Sequence, residues 1–99
     1  MALVIDPAKV EIRMLKEAVD WQDKHILEVG CGEGRLTQRI LGMGPRRIMA
    51  IDTNAERIAK AKRNLPAPLK RMVTYRAVQA DETQHPPSTY DIVLFSWVL

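Results

Sequence analysis

Ile26-Leu27-Glu28-Val29-Gly30-Cys31-Gly32-Glu33-Gly34 is the stretch whose reading decides the fold. A short apolar run leads into three glycines at alternate positions. A helix-like pattern, Arg35-Leu36-Thr37-Gln38-Arg39-Ile40-Leu41, follows at once. Strand, tight glycine turn and helix start form the arrangement that brings backbone amides close to a ligand. Glycine suits the turn because a side chain would block that approach, and because such turns often demand positive φ. The spacing is G-x-G-x-G. The dinucleotide fingerprint is G-x-G-x-x-G, and here the residue after Gly34 is Arg35. That difference points away from nicotinamide cofactors and toward another adenosine-containing ligand.

Working outward, Arg47-Ile48-Met49-Ala50-Ile51-Asp52 reads as a second buried strand ending in a carboxylate. Asp52 lies 18 positions after Gly34, near the roughly 20-residue offset at which an acid meets a ribose in doubly wound nucleotide sites. Asn54 is placed to cap a helix running to about Leu65, with Ile58, Ala61 and Leu65 inward, and Pro66 and Pro68 stop it. Met72 to Val78 alternates as a third strand, and Asp91 to Phe95 reads as a fourth. The connection between them carries Pro86-Pro87 and is too broken for a full helix. Upstream, Asp6-Pro7 is a cap and first-turn pair. Val10, Met14, Ala18 and Trp21, with Leu15 beside them, predict an amphipathic helix over residues 7–21. Strands alternating with helices predict a Rossmann-like, doubly wound α/β fold with a parallel sheet.

Glu28 to Gly34 resembles motif I of the class I S-adenosylmethionine-dependent methyltransferases. Arg47 to Asp52, the acidic segment Val78-Gln79-Ala80-Asp81-Glu82, and Tyr90 to Leu99 resemble the family's next three segments in order. The likeness covers most of residues 26–99. It implies strand order 3-2-1-4, an N-terminal helix over 1–24 and a cofactor-binding α/β domain over 25–99. The family fold usually has seven strands and four are legible here. The chain is therefore expected to be a C-terminally truncated portion, with one edge of the fourth strand unpaired.

The resemblance also implies roles for single residues. Gly30, Gly32 and Gly34, with Cys31 between the first two, would let backbone approach the methionine and ribose parts of S-adenosyl-L-methionine. Asp52 would accept from the ribose hydroxyls, as a carboxylate with paired acceptors can. Thr53 would lie beside the adenine. Asp81 would accept from the adenine amino group, with the amide of Glu82 near a ring nitrogen. Glu28 would either face the cofactor's cationic end or hold the glycine loop. Ser96 and Trp97 would lie near the transferable methyl, with packing an equal alternative for Trp97. The ending Ser96-Trp97-Val98-Leu99 lacks the Asn/Asp-Pro-Pro-aromatic and Pro-Cys signatures of base-methylating enzymes, which favours a small-molecule acceptor. No general base can be named. Arg13, Lys16 and Trp21 are candidates to face a substrate, although surface positions suit each.

Composition bounds the rest. The chain has 99 residues, room for one small domain, and 46% of them are hydrophobic, which argues against disorder. No apolar run approaches the roughly 20 residues of a membrane span. The first ten residues lack a signal-peptide layout, Cys31 is the single cysteine, and a cytoplasmic enzyme is the expectation. Net charge is +3, and eleven Lys or Arg residues between Arg35 and Arg76 face only Asp52 and Glu56. That middle keeps nucleic acid open as a partner, although solvated helix faces explain it more simply. His25 and His85 have no cluster around them at metal-ligand spacing, and His25 reads as a satisfied strand residue. Two other readings stand beside methyl transfer: an inactive methyltransferase-like cofactor-binding or scaffold module, and a nicotinamide-dependent Rossmann oxidoreductase.

Overall fold

The computed structural model describes residues 2–5, 12–79 and 89–96. Along these the elements run β1 (Ala2–Ile5), α1 (Ile12–Ala18), β2 (His25–Val29), α2 (Arg35–Leu41), β3 (Arg47–Asp52), α3 (Ala55–Asn64), a 3-10 turn (Ala67–Leu69), β4 (Val73–Ala77) and β5 (Ile92–Ser96). The strands form one sheet in the order β1-β5-β2-β3-β4, and every pairing is parallel. Parallel neighbours need crossovers, and α2 and α3 supply two of them.

The expected order of four strands is present as β4-β3-β2-β5. The expected count is corrected: Ala2-Leu3-Val4-Ile5 forms a fifth strand, pairing in parallel with Ala2 opposite Val93 and Ile5 opposite Ser96. β5 therefore has neighbours on both sides, and the unpaired edge expected for it is occupied. Four apolar residues have no periodicity that separates strand from helix or loop, so the element was not legible alone.

The helix ends follow local chemistry. The Asn54 side chain accepts from the amides of Glu56 and Arg57 at 3.0 and 3.1 Å. Glu56 stands in the first turn of α3, with Lys62 and Arg63 in the last, the charge order that the helix dipole favours. Gly42 caps α2, its amide turned back toward the carbonyls of Arg39 and Ile40.

Leu36 and Ile40 of α2, Ile58 and Ala61 of α3, and Leu15 of α1 join Ile26, Ile48, Ala50, Val73, Tyr75, Ile92 and Leu94 of the sheet in one core cluster. Burying each large aliphatic side chain here stabilises the fold by roughly 1.5–3 kcal/mol. The alternate strand residues Leu27 and Ile51, with Tyr90, form a smaller cluster with Val29, Met49 and Val93 half-buried against it. The described helices thus share one layer.

The N-terminal helix is shorter and turned relative to expectation. Residues 6–11 lie outside the described set, so the Asp6-Pro7 cap and Val10 do too. Leu15 is 4% exposed, whereas Met14 is 57% exposed and Ala18 also faces outward. Trp21 lies beyond the helix end and is buried, its indole N–H donating to the Leu15 carbonyl at 2.7 Å. That bond wraps the chain back over the helix and fixes which stripe packs inward. Among the described residues no helix is long and apolar enough to cross a membrane.

Candidate functional site

In a parallel sheet all carboxyl ends lie along one edge, and that edge is where ligands meet open α/β sheets. Val29 is in register with Ile51 and with Phe95, and Asp52 with Ala77. The glycine turn, Asp52, Val78 and Ser96 therefore share that edge.

The turn is held from below by backbone bonds. The amides of Gly30 and Cys31 both donate to the Ile51 carbonyl, at 2.8 and 3.1 Å, and the Gly34 amide donates to the Cys31 carbonyl at 3.0 Å. Gly30, Gly32 and Gly34 have φ of 84°, 56° and 85°, values at which a side chain costs about 1 kcal/mol or more. The last two face different surroundings. A Cβ on Gly32 would meet nothing within 4 Å, whereas one on Gly34 would lie 2.4 Å from the Tyr75 hydroxyl and 3.3 Å from Ala61 Cβ. Gly34 is needed for packing, and Gly32 borders open space.

Asp52 ties the turn to the end of β3. Its Oδ2 accepts from the Gly32 amide and its Oδ1 from the Asn54 amide, both at 2.9 Å. The side chain is half-buried. A carboxylate has about four lone-pair sites, so each oxygen retains capacity for another donor. Thr53, beside it, is exposed.

Glu28 and Ser96 point the other way, into the protein. Glu28 has no exposed surface and Ser96 is 2% exposed. Thr37 Oγ1 donates to Glu28 Oε1 at 2.5 Å, and Ser96 Oγ donates to Glu28 Oε2 at 2.7 Å. Burial pushes the Glu28 carboxyl above the ordinary carboxylate range, and the two hydroxyls pull it partly back. Of the two roles open to Glu28, its side chain fills the structural one: it links β2, α2 and β5 beneath the loop. The Ser96 hydroxyl is engaged in the same link.

Cys31 is buried, and its thiol is pushed well above the usual range, first by burial and then by the negative charges of Glu28 and Asp52. A thiol held protonated is a poor nucleophile, so Cys31 serves as packing at the turn. Asp81, Glu82, His85 and Trp97 lie outside the described residues. His25 sits at the opposite, amino end of β2. Its amide donates to Asp91 Oδ2 at 2.8 Å, and its ring tilts against Tyr90 with centroids 4.9 Å apart. Trp21 precedes that same end and is buried, while Arg13 and Lys16 are exposed on α1. Among the described residues no group of three His, Cys, Asp or Glu is placed to hold a metal.

Two residues of this region escaped the motif reading. Thr37 lies on the inward stripe of α2, fully buried with Leu36, Ile40 and Leu41. A hydroxyl in an apolar stripe needs a partner, and that was the available signal. Tyr75 belongs to the alternating stretch from Met72 to Val78, but nothing in that alternation shows that its hydroxyl reaches Gly34. That hydroxyl is buried without a hydrogen-bond partner among the described residues. Burial pushes its pKa up to about 12, and Thr37 is near enough to lower it somewhat.

Residues 26–99 match the sequence profile of the family described as methyltransferase domain. The chain belongs to this family. It is 33% identical over 73 residues to N-terminal Xaa-Pro-Lys N-methyltransferase 1 of Rattus norvegicus, covering 74% of this chain and 33% of that protein. It is 38% identical over 69 residues to ribosomal protein L11 methyltransferase of Geotalea uraniireducens, covering 70% of this chain and 21% of the other. The fold matches the crystal structure of an S-adenosylmethionine dependent methyltransferase from Mesorhizobium loti with a TM-score of 0.73 at 20% identity, over 87% of this chain and 38% of that one. The chain thus spans less than half the length of these relatives. It carries the part of the methyltransferase domain that includes the glycine turn.

Proposed function

We propose that this chain is the cofactor-binding portion of an S-adenosyl-L-methionine-dependent methyltransferase. The observation that carries the reading is the glycine turn itself: Gly32 at positive φ beside open space, with its amide fixed to a half-buried Asp52. The residues fit the cofactor. The open side of Gly32 accommodates close approach by a ligand, and Asp52 keeps acceptor capacity for a ribose diol. When bound, the cofactor supplies an activated methyl group. The chain's own residues bind and orient it, and holding reactants in line is worth roughly 7–11 kcal/mol in well-aligned cases. Glu28, Thr37 and Ser96 keep the turn and the β5 end in fixed relation. Membership in the methyltransferase-domain family supports this reading over a nicotinamide enzyme. A fluorescence-detected melt tests it: S-adenosylhomocysteine should raise the unfolding midpoint and NADH should not. The opposite pattern would revive the oxidoreductase.

For the acceptor, the segment after β5 supports a small molecule, since Ser96-Trp97-Val98-Leu99 lacks the base-methylating signatures. A protein acceptor is the second reading, because the two curated relatives above are named for protein substrates. Tritiated methyl transfer by the longest available form of the protein, offered small-molecule extract, peptides and RNA separately, distinguishes these from a nucleic-acid acceptor. Transfer to none of them would support the inactive module.

A further inference from the structure

The basic middle of the sequence is not spread evenly over the fold. Within residues 24–79 the acids are Glu28, Glu33, Asp52 and Glu56. They lie in the glycine turn, in the strand ends beside it or in the first turn of α3, all toward the carboxyl edge of the sheet. The amino edge carries cations instead. Lys24 precedes β2, Arg46 precedes β3 and Arg47 opens it, and Lys70 and Arg71 precede β4. Backbone bonds set these segments side by side. The amides of Arg46 and Arg47 donate to the Lys24 carbonyl at 2.8 and 3.4 Å, and the Ile48 amide donates to the Met72 carbonyl at 2.8 Å. Neighbouring strands lie about 4.8 Å apart, so the row crosses three strand starts within about 10 Å. Arg46, Arg47, Lys70 and Arg71 are exposed.

Fold energetics do not account for this row. Arg39 and Arg63, in the last turns of α2 and α3, complement the helix dipoles and need no ligand. Strands carry little net dipole, and cations gathered at strand starts repel one another. Asp23 and Asp91 temper the charge only at the β2–β5 end, and Asp91 Oδ2 already accepts from the His25 amide. Hollows flank the row. One of about 330 Å³ is lined by His25, Arg46 and Arg47 with those two acids. Another of about 360 Å³, lined in part by Lys62 and Lys70, lies beside the outer strand β4.

The surroundings of the row select its occupant. A membrane surface attracts cations too, but firm contact needs apolar side chains among them. The exposed large hydrophobics among the described residues, Val4 and Met14, belong to β1 and α1 and lie outside the row. A single strand needs aromatic platforms for its bases, whereas Trp21, Tyr75 and Tyr90 are buried. A duplex needs neither. It presents about one charge per 1.7 Å of its axis, dense enough to meet so short a row several times.

We propose that the amino edge of the sheet is a docking surface for the phosphate backbone of a nucleic-acid duplex, with Arg46, Arg47, Lys70 and Arg71 as its contacts. Such contacts hold position without reading sequence. β2 and β3 have 5 and 6 residues, which sets this surface about 17–20 Å from the cofactor edge. The docked stretch is therefore an anchor and not the methyl acceptor. The surface is independent of the cofactor reading, and neither falls with the other.

The test is fluorescence anisotropy of short labelled RNA and DNA duplexes of one sequence, titrated with the 99-residue chain between about 50 and 200 mM salt. Saturable binding is expected, with a log–log salt slope of about −3 to −4 for four phosphate contacts. The duplex bound more tightly names the source. Arg46→Ala with Arg47→Ala should weaken binding about tenfold and flatten the slope by about 2, and Lys70→Ala with Arg71→Ala should do the same. Arg46→Gln with Lys70→Gln, both before their strands, repeats the reading without touching a strand residue. Arg35→Ala with Arg57→Ala removes equal charge from the first turns of α2 and α3, at the other edge, and should leave the affinity within about twofold. No binding of either duplex by the folded chain overturns the proposal. So does an affinity indifferent to salt, equal weakening by the Arg35 and Arg57 pair, or tighter binding of a single strand or of polyglutamate than of a duplex.

Discussion

The Gly32 amide and the Asp52 carboxylate are 2.9 Å apart, and that bond joins the turn after β2 to the end of β3. The second Asp52 oxygen holds the Asn54 amide at the same distance. Both oxygens act as acceptors, so Asp52→Asn replaces one acceptor with a donor facing a donor. The expected loss is about 1–2 kcal/mol of stability. Amide exchange should accelerate at Gly32 or at Asn54, whichever loses its partner. Unchanged protection at both would show that the carboxylate does not organise the turn.

The two neighbouring glycines should respond differently to alanine. Gly34→Ala places a Cβ 2.4 Å from the Tyr75 hydroxyl at φ 85°, and strain plus overpacking should cost about 2–3 kcal/mol. Gly32→Ala meets open space and should cost only the backbone penalty, about 1 kcal/mol, while its methyl group intrudes where a ligand would lie. Denaturant unfolding and ligand titration of both variants check this. Equal stability losses, or unimpaired binding by Gly32→Ala, would count against it.

Glu28 makes stability depend on pH in a definite direction. Its folded-state pKa is raised above the ordinary value of 4.5, chiefly by burial. The folded chain therefore holds the proton where the unfolded chain has released it. The associated stability is fully present below the unfolded pKa and is lost as pH rises through the folded one. Glu28→Gln cannot ionise, and the Ser96 and Thr37 hydroxyls can accept as well as donate. The stability of Glu28→Gln relative to wild type should thus grow as pH rises from about 4.5. A flat difference between pH 4 and 8, from urea unfolding of both proteins, would contradict the assignment.

The inward face of α1 is set by Leu15, not Met14. Leu15→Ala should cost about 2–4 kcal/mol as a buried aliphatic truncation. Met14→Ser, at a position 57% exposed, should stay within about 0.5 kcal/mol of wild type. Reversed magnitudes in chemical unfolding would restore the stripe through Met14.

Legibility in the sequence tracked how local each signal was. The turn at Gly30, Gly32 and Gly34, the strand ending in Asp52, and the Asn54 cap are written in adjacent residues, and the structure places them together. The Leu15 face was misread because Trp21 reaches back to the Leu15 carbonyl from beyond the helix end, which no helical period encodes. β1 was missed because its pairing partner is some 90 residues away at Val93 to Ser96. Glu28 was assigned to the right region with its role open. Only the three-dimensional meeting of Thr37, 9 positions away, and Ser96, 68 positions away, shows that its carboxylate is consumed inside the protein. The Tyr75 hydroxyl was invisible for the same reason, since α2, β3 and α3 lie between it and Gly34 in the chain.

Isothermal titration of the 99-residue chain with S-adenosylhomocysteine, run in parallel on Asp52→Ala, tests the central claim most directly. The glycine turn and Asp52 form a cofactor site if the wild type binds one ligand per chain and Asp52→Ala weakens binding tenfold or more, a loss of about 1.4 kcal/mol. Equal binding by Asp52→Ala, or no binding by a folded wild type, would contradict it.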